Sequence, residues 1–297
     1  MQRERNRRKR KRNWPALLLC VLLAGALVWG VVSAAQKFLR YGSRTIRASQ
    51  TDAQTAADTA QTPETDSTAD IPENAYSADC FYKEGGFLRY EDDALTSEVG
   101  VDISSHQTAV DWAAVREAGV DFAILRAGYR GYTEGAIQED ETFLTNLAAA
   151  KAAGLKVGVY FFSQALDKAE AVEEAEFVLN LLDGAALDYP IFFDWEDIEA
   201  DARTDGMDSL TLTSCARAFC KRIELNGYRA GVYFNQRFGY EEFDLSKLQD
   251  YELWLAEYNT TPSFAYHFGV WQYANDGMLS GVDGPVDLNL AFRKKSA

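Results

Sequence analysis

The chain has 297 residues, 47% of them apolar, enough for one sizeable domain with appendages or two small ones. Its formal charge is -15. That figure hides an asymmetry: residues 1–12 hold eight basic groups and one acid, so the rest carries -15 minus 7, or -22. An outer part this acidic excludes a nucleic-acid partner there, because phosphate binding needs clustered Lys and Arg. The four cysteines form no disulfide framework: Cys20 lies in an apolar run, Cys80 stands alone, and Cys215 and Cys220 are five apart on a predicted helix and point in different directions. No Cys or His cluster has metal-ligand spacing, since His106 and His267 are the two histidines of the chain.

Residues 1–13 read as a basic cytoplasmic head and residues 14–35 as an uncharged apolar span, long enough for a transmembrane helix. Basic residues before the span predict a single pass with a cytoplasmic N-terminus and everything beyond outside the cytoplasm, at the cell membrane. A cleaved signal peptide is the alternative, because Val32-Ser33-Ala34-Ala35 resembles a cleavage site. The basic head would sit against anionic lipid. Residues 36–78, rich in Thr, Ala, Asp, Gln and Ser, read as a flexible stalk. Residues 79–98 hold Phe81, Tyr82, Phe87, Leu88 and Tyr90 around Gly85-Gly86, the makings of a short hairpin or clasp before a main domain over 99–297.

In that domain the spacing predicts strands over 99–103, 122–127, 156–162, 190–194, 229–234, 251–256, 268–272 and 286–289. Helical patterning fills 110–118, 141–153, 168–182 and 210–226, with Gly119, Gly154, Gly184 and Gly227 placed where a helix stops. Strand alternating with helix implies an α/β fold with a parallel sheet, and polar residues at the strand ends imply a barrel of the triosephosphate-isomerase type. The gaps after 256 and 272 are too short for helical crossovers, so the last strands join by loops with some antiparallel pairing. A doubly wound open sheet is the rival, without its usual Gly-rich fingerprint.

Residues 191–197 read Ile-Phe-Phe-Asp-Trp-Glu-Asp, an apolar strand ending in carboxylates. With a period of two, Asp194 and Glu196 project from one side. Glycoside hydrolysis needs such a pair, one carboxyl to protonate the departing oxygen and another to stabilise or attack the cationic sugar carbon. Asp102 and Asp287 lie on the polar parity of their own strands. These four acids would converge with Tyr160, Tyr233, Trp254, Trp271 and Tyr273, rings suited to stack on pyranose faces. Ser104, Ser105 and His106 are adjacent and lack triad geometry. Arg126 reads as a structural partner of a barrel acid, with substrate binding as its alternative.

The motifs Gly100-Val-Asp-Ile-Ser-Ser-His-Gln107, Gly158-Val-Tyr-Phe-Phe162, Phe193-Asp-Trp-Glu196, Gly231-Val-Tyr233, Trp254-Leu-Ala-Glu-Tyr258, Trp271-Gln-Tyr273 and 281–289, in this order, resemble glycoside hydrolase family 25, the Chalaropsis-type lysozymes or N-acetylmuramidases. The resemblance implies an irregular TIM-like barrel of five strand-helix units followed by three strands. It also implies hydrolysis of peptidoglycan glycan strands between N-acetylmuramic acid and N-acetylglucosamine, with no metal or organic cofactor. Glu196 then matches the general acid and Asp194 the acid that stabilises developing charge or positions the acetamido group, with Asp102 and Asp287 as supporting carboxylates. Burial and nearby charge should raise the pKa of Glu196, while hydrogen bonds keep Asp194 ionised. The alternative is a membrane-anchored, non-catalytic glycan-binding or scaffold barrel.

Overall fold

The computed structural model describes residues 71–295. The basic head, the apolar span at 14–35 and the predicted stalk up to residue 70 lie outside the described residues. Among the described residues no helix is long and apolar enough to cross a membrane.

A hairpin comes first. Strands β1 (Phe81–Glu84) and β2 (Phe87–Tyr90) pair antiparallel across Gly85 and Gly86. Both glycines have positive φ, 60° and 88°, which a side chain would resist in so tight a turn. The chain then alternates through β3 (Leu95–Ile103), α1 (Trp112–Glu117), β4 (Phe122–Arg130), β5 (Ile137–Glu139), α2 (Phe143–Ala152), β6 (Lys156–Phe162), α3 (Lys168–Leu182), β7 (Ile191–Asp194), α4 (Ser209–Glu224) and β8 (Ala230–Asn235). Strands β9 (Glu252–Ala256), β10 (Val270–Met278) and β11 (Pro285–Lys294) complete it. Side-chain oxygens of Asp111, Asp167 and Asp208 accept from the first free backbone N–H groups of α1, α3 and α4, which fixes where those helices start.

The sheet runs β3-β11-β10-β9-β8-β7-β6-β4, and pairing of β3 with β4 closes it on itself, with β5 hung on the far end of β4. Closure excludes the doubly wound rival. Within the closed barrel pairing is parallel except where β11 runs antiparallel to β10 and to β3, and the appended β5 is antiparallel to β4. The expected fifth strand-helix unit is different: between β8 and β9 the chain makes a π turn at Phe238–Glu242 and a 3-10 turn at Leu245–Lys247, so among the described residues the barrel carries four α-helices. This stretch is short and holds Gly239, at which a Cβ would lie 2.7 Å from the Phe264 ring and 2.8 Å from Phe234. The chain there packs closely on the Phe234 and Phe264 rings.

Two apolar layers follow from the strand period of two. Inside the barrel, Phe122, Ile124, Phe192, Tyr233, Trp254 and Val270 form one buried cluster, with Tyr189 stacked on Phe122 at 4.3 Å between ring centroids. Gly100 makes room for this filling, since a Cβ there would lie 2.2 Å from Cζ of Phe122. The opposite faces of the strands pack under the helices.

Among the described residues, no helix covers the outside of β10, β11 and β3. The hairpin and the segment before it do so instead. Tyr76 stacks on Phe292 at 3.7 Å, and Phe81 packs edge-on against Trp271 at 5.5 Å. The expectation of a flexible stalk through residue 78 therefore needs correction. Residues 71–78 dock along 264–268: Glu73 bridges Tyr266, the Asn74 N–H donates to the Ala265 carbonyl at 2.9 Å, and the Tyr76 hydroxyl reaches the Phe268 carbonyl. Two aromatic-rich faces that neither could bury alone explain the docking. Likewise, the predicted boundary at residue 99 falls inside β3, which begins at Leu95 and pairs with β11 from Lys294 to Asp287.

Candidate active site

The parallel strands end together, and inward-facing residues at those ends meet at one mouth of the barrel. Asp102 comes from β3, Tyr160 from β6, Asp194 from β7, Tyr233 from β8 and Trp254 from β9. Strand β11, antiparallel, brings its N-terminal end to the same mouth, where Asp287 sits directly opposite Asp102 in the ladder. Asp194 is level with Tyr233, and Tyr233 with Trp254. Glu196 lies two residues past the end of β7, in the loop that follows.

Hydrogen bonds lock the floor of the mouth. Oδ2 of Asp102 accepts from Nε2 of Gln272 at 2.9 Å and from Nδ2 of Asn289 at 2.8 Å. Nε1 of Trp254 donates to Oδ1 of Asn289 at 2.9 Å, while the hydroxyls of Tyr233 and Tyr258 each donate to Oε1 of Gln272 at 3.1 Å. Every polar atom of the Gln272 amide head except one N–H is thus committed. Such a network holds its carboxylate in one orientation because each member would be costly to leave unpaired.

All four acids are pushed toward the protonated form. Burial raises Asp194 well above the ordinary carboxylate range, and the charges of Glu196 and Asp102 add to it, with Arg126 pulling the other way. Burial also raises Glu196, with Asp102 and Asp197 adding to the rise and a hydrogen bond shared with Tyr233 opposing it. Asp102 reaches about 6 through burial, offset by its Asn289 and Gln272 donors. Asp287 reaches about 8 through burial and the charges of Asp102 and Glu196. The expectation that hydrogen bonds keep Asp194 ionised is therefore not met in the resting site. Asp194 is 6% exposed, and its Oδ1 is buried without a hydrogen-bond partner. A group that donates to this oxygen would stabilise the ionised form.

Four acids, Tyr160, Tyr233 and Trp254 come together as the sequence suggests; Trp271 and Tyr273 do not. Register sets Val270 beside Trp254 and Gln272 beside Ala256, so on β10 the inward residues are Val270 and Gln272. Trp271 points outward, fully buried under the hairpin, with its Nε1 donating to the Glu257 carbonyl at 2.8 Å. Tyr273 follows it, its hydroxyl accepting from the Leu88 N–H at 3.3 Å. Both rings build the outer core and do not line the site. Gln272, Asn289 and Tyr258 are the site residues the sequence reading passed over. Asn289 shares the parity of Asp287, which marks it as inward-facing. Arg126 donates from Nε to Asp140 Oδ2 at 2.8 Å and from Nη2 to Ser105 Oγ at 3.0 Å, the structural pairing expected of it.

The geometry can be set beside known proteins. The model of the glycosyl hydrolases family 25 matches residues 101–282. The autolytic lysozyme of Clostridium acetobutylicum is 32% identical over 191 residues, covering 64% of this chain and 54% of that protein. Lysozyme M1 of Streptomyces globisporus is 26% identical over 200 residues, covering 64% and 66% respectively. The chain thus spans between about half and two thirds of the length of these curated relatives. Among solved structures, the modular autolysin LytC from Streptococcus pneumoniae, in complex with synthetic peptidoglycan ligand, superposes with a TM-score of 0.57 at 24% identity over 65% of this chain and 46% of that one, a likeness of fold. The CTP1L endolysin superposes with a TM-score of 0.54 at 28% identity, over 65% of each chain. With more than half its length matched by the family model, and with the barrel and its ring of acids in place, the chain belongs to the glycosyl hydrolases family 25.

Proposed function

We propose that this protein is a peptidoglycan hydrolase of the muramidase type, which cleaves the glycosidic bond between N-acetylmuramic acid and N-acetylglucosamine in remodelling of the cell wall. The observation that carries the reading is the convergence of Asp194 and Glu196 with Asp102 and Asp287 at the barrel mouth, all biased toward holding protons. The names of the lysozymes it resembles support the same substrate.

In this reading Glu196 delivers a proton to the departing oxygen, the task for which a raised pKa suits a carboxyl at neutral pH. Asp194 accepts a hydrogen bond from the substrate on its free Oδ1, which favours release of its own proton to solvent as substrate binds, and the carboxylate then faces the positive charge that develops at the sugar carbon. Asp102, fixed by Gln272 and Asn289, sustains the field around both. Tyr160, Tyr233 and Trp254 shape the mouth beneath the glycan. The proposal includes location: the basic head and apolar span anchor the protein in the cell membrane by a single pass, with the barrel outside the cytoplasm.

Purified peptidoglycan digested with the full-length protein should yield new reducing ends on N-acetylmuramic acid. Glu196→Gln should lose about 100-fold or more of this activity while remaining folded, because the amide keeps the shape and cannot deliver a proton. A folded Glu196→Gln protein with near-normal turnover would remove Glu196 from the acid's role, and new reducing ends on N-acetylglucosamine would refute the muramidase reading.

A further inference from the structure

The hydrolase reading leaves open what holds Glu196, which follows β7 and has already left the hydrogen-bonded ladder. Its neighbour Trp195 faces the outer layer and packs edge-on against Phe238 at 5.3 Å. The chain then runs through Asp197, Glu199, Asp201 and Asp205 before α4 begins, a crowd of like charges that favours an open loop.

Two consecutive residues beyond β6 reach across to this segment. The Ser163 N–H donates to the Asp194 carbonyl at 2.7 Å, continuing the ladder by one step. Gln164, with 0% exposure, takes over from there. Its Nε2 donates to the Glu196 carbonyl at 3.4 Å, and its Oε1 accepts from the Thr204 hydroxyl at 2.7 Å. One buried amide head therefore touches both ends of the 196–204 loop. A buried primary amide is costly unless its polar atoms are satisfied, and here the loop ends are what satisfy them. The backbone carbonyl of Gln164 also accepts from Arg203 Nη1 at 3.3 Å, and Arg203 pairs with Glu170 of α3 at 2.7 Å, so the clamp is tied to the helical layer.

We propose that Gln164 is a positioning residue for Glu196: by holding the Glu196 carbonyl and the Thr204 hydroxyl together it closes the acidic loop and fixes the acid over the barrel mouth. This rests on the hydrolase reading above. Glu196 faces Asp102, Asp194, Asp287 and Asp197, with the hydroxyls of Tyr233 and Tyr258 nearby. If the clamp is released, Glu196 moves away from these acids toward water, and its pKa falls toward the ordinary carboxylate range.

The test compares Gln164→Met, Thr204→Val and Thr204→Ser with the wild type in the full chain, using soluble glycan strands from peptidoglycan and hydrogen exchange of the 195–208 segment. Gln164→Met should lower kcat about 10- to 100-fold with KM unchanged, the scale expected when a reacting group is displaced by about an ångström. The alkaline limb of its kcat profile should move to lower pH, because an acid with a lower pKa loses its proton earlier. Thr204→Val should act in the same direction, Thr204→Ser should behave as wild type, and exchange in 195–208 should quicken in the first two variants. A folded Gln164→Met or Thr204→Val protein with wild-type kcat, pH profile and loop exchange, even with a reduced melting temperature, would overturn the proposal. If Gln164→Met fails to fold, the isosteric Thr204→Val decides. A wild type that cuts no glycosidic bond would instead overturn the hydrolase reading, and the exchange comparison would still judge the clamp.

Discussion

Asp102 and Asp287 sit opposite each other on neighbouring antiparallel strands, both facing inward, and their carboxyls are hydrogen-bonded to each other. Two carboxylates cannot share a hydrogen bond unless one holds a proton, and Asp287, raised from 3.8 to about 8, is the one that keeps it. In the unfolded chain that proton is lost near 3.8. Between these two values the native state binds a proton the unfolded state does not. Stability therefore falls as pH rises through the window, by about 1.4 kcal/mol per pH unit for each such proton. From the unfolded value to pH 7 the ceiling for this single group is about 4 kcal/mol, and sharing of the titration with Asp102 and Glu196 brings the expected effect to about 2 kcal/mol. Asp287→Asn supplies a permanent N–H in place of the proton. Urea unfolding at a series of pH values should show the variant and wild type nearly equal near pH 4, with the variant more stable by about 2 kcal/mol at pH 8. In a domain of this size that is about 4–8 °C in melting temperature. Asp102 and Glu196 titrate together with Asp287, so the difference between the two proteins reports the proton of this coupled group. A difference that does not change with pH, or that shrinks as pH rises, would refute the shared-proton arrangement.

Asp194→Asn and Asp102→Asn should each lower turnover, the first more than the second, and the double variant should lose less than the two effects combined, because the acids share one electrostatic cluster; strict additivity in steady-state kinetics would argue against that cluster. Trp271→Ala should cost about 3–5 kcal/mol in chemical denaturation through the cavity it leaves under the hairpin. Its kcat in the folded state should stay near wild type, whereas Trp254→Ala, which frees Asn289, should reduce kcat. Protease added to intact, wall-stripped cells should cut within residues 36–70 and release a soluble barrel, and a barrel protected until lysis would place it in the cytoplasm and refute the membrane topology.

Much of the barrel is legible in the sequence because local rules and tertiary structure agree there. The helix stops read from Gly119, Gly154, Gly184 and Gly227 all carry positive φ, between 81° and 104°, where any side chain would be strained. The acids Asp102, Asp194 and Asp287 fall on the inward parity because the opposite face of each strand is largely apolar and packs beneath an outer layer, of helices over β7 and of the hairpin over β3 and β11. Asn289 and Gln272 were equally inward, yet uncharged amides carry no chemistry that marks them in a sequence; their role appears only when Asp102 is found to need two donors.

The misreading of Trp271 and Tyr273 has a physical cause in what lies outside β10. Aromatic residues occur on both faces of these strands, Phe192 and Tyr233 inward, Phe161 and Phe193 outward against helices, so an aromatic residue at a strand's end does not by itself say which face it occupies. Here the covering layer is the hairpin with residues 71–80, itself built from Tyr76, Phe81 and Tyr90, and aromatic rings pack best against aromatic rings. The same cover explains why residues 71–78 are bound to the barrel although their composition resembles that of the residues before them. One tyrosine stacked on Phe292 and a few backbone bonds to 264–268 anchor a segment whose other residues are mostly small or polar. Composition averages over a window, and docking depends on single residues meeting the right surface. The parity of β10 and the docking of residues 71–78 were thus hidden for one reason: both are decided by a partner segment distant in sequence, and neither segment carries that information alone.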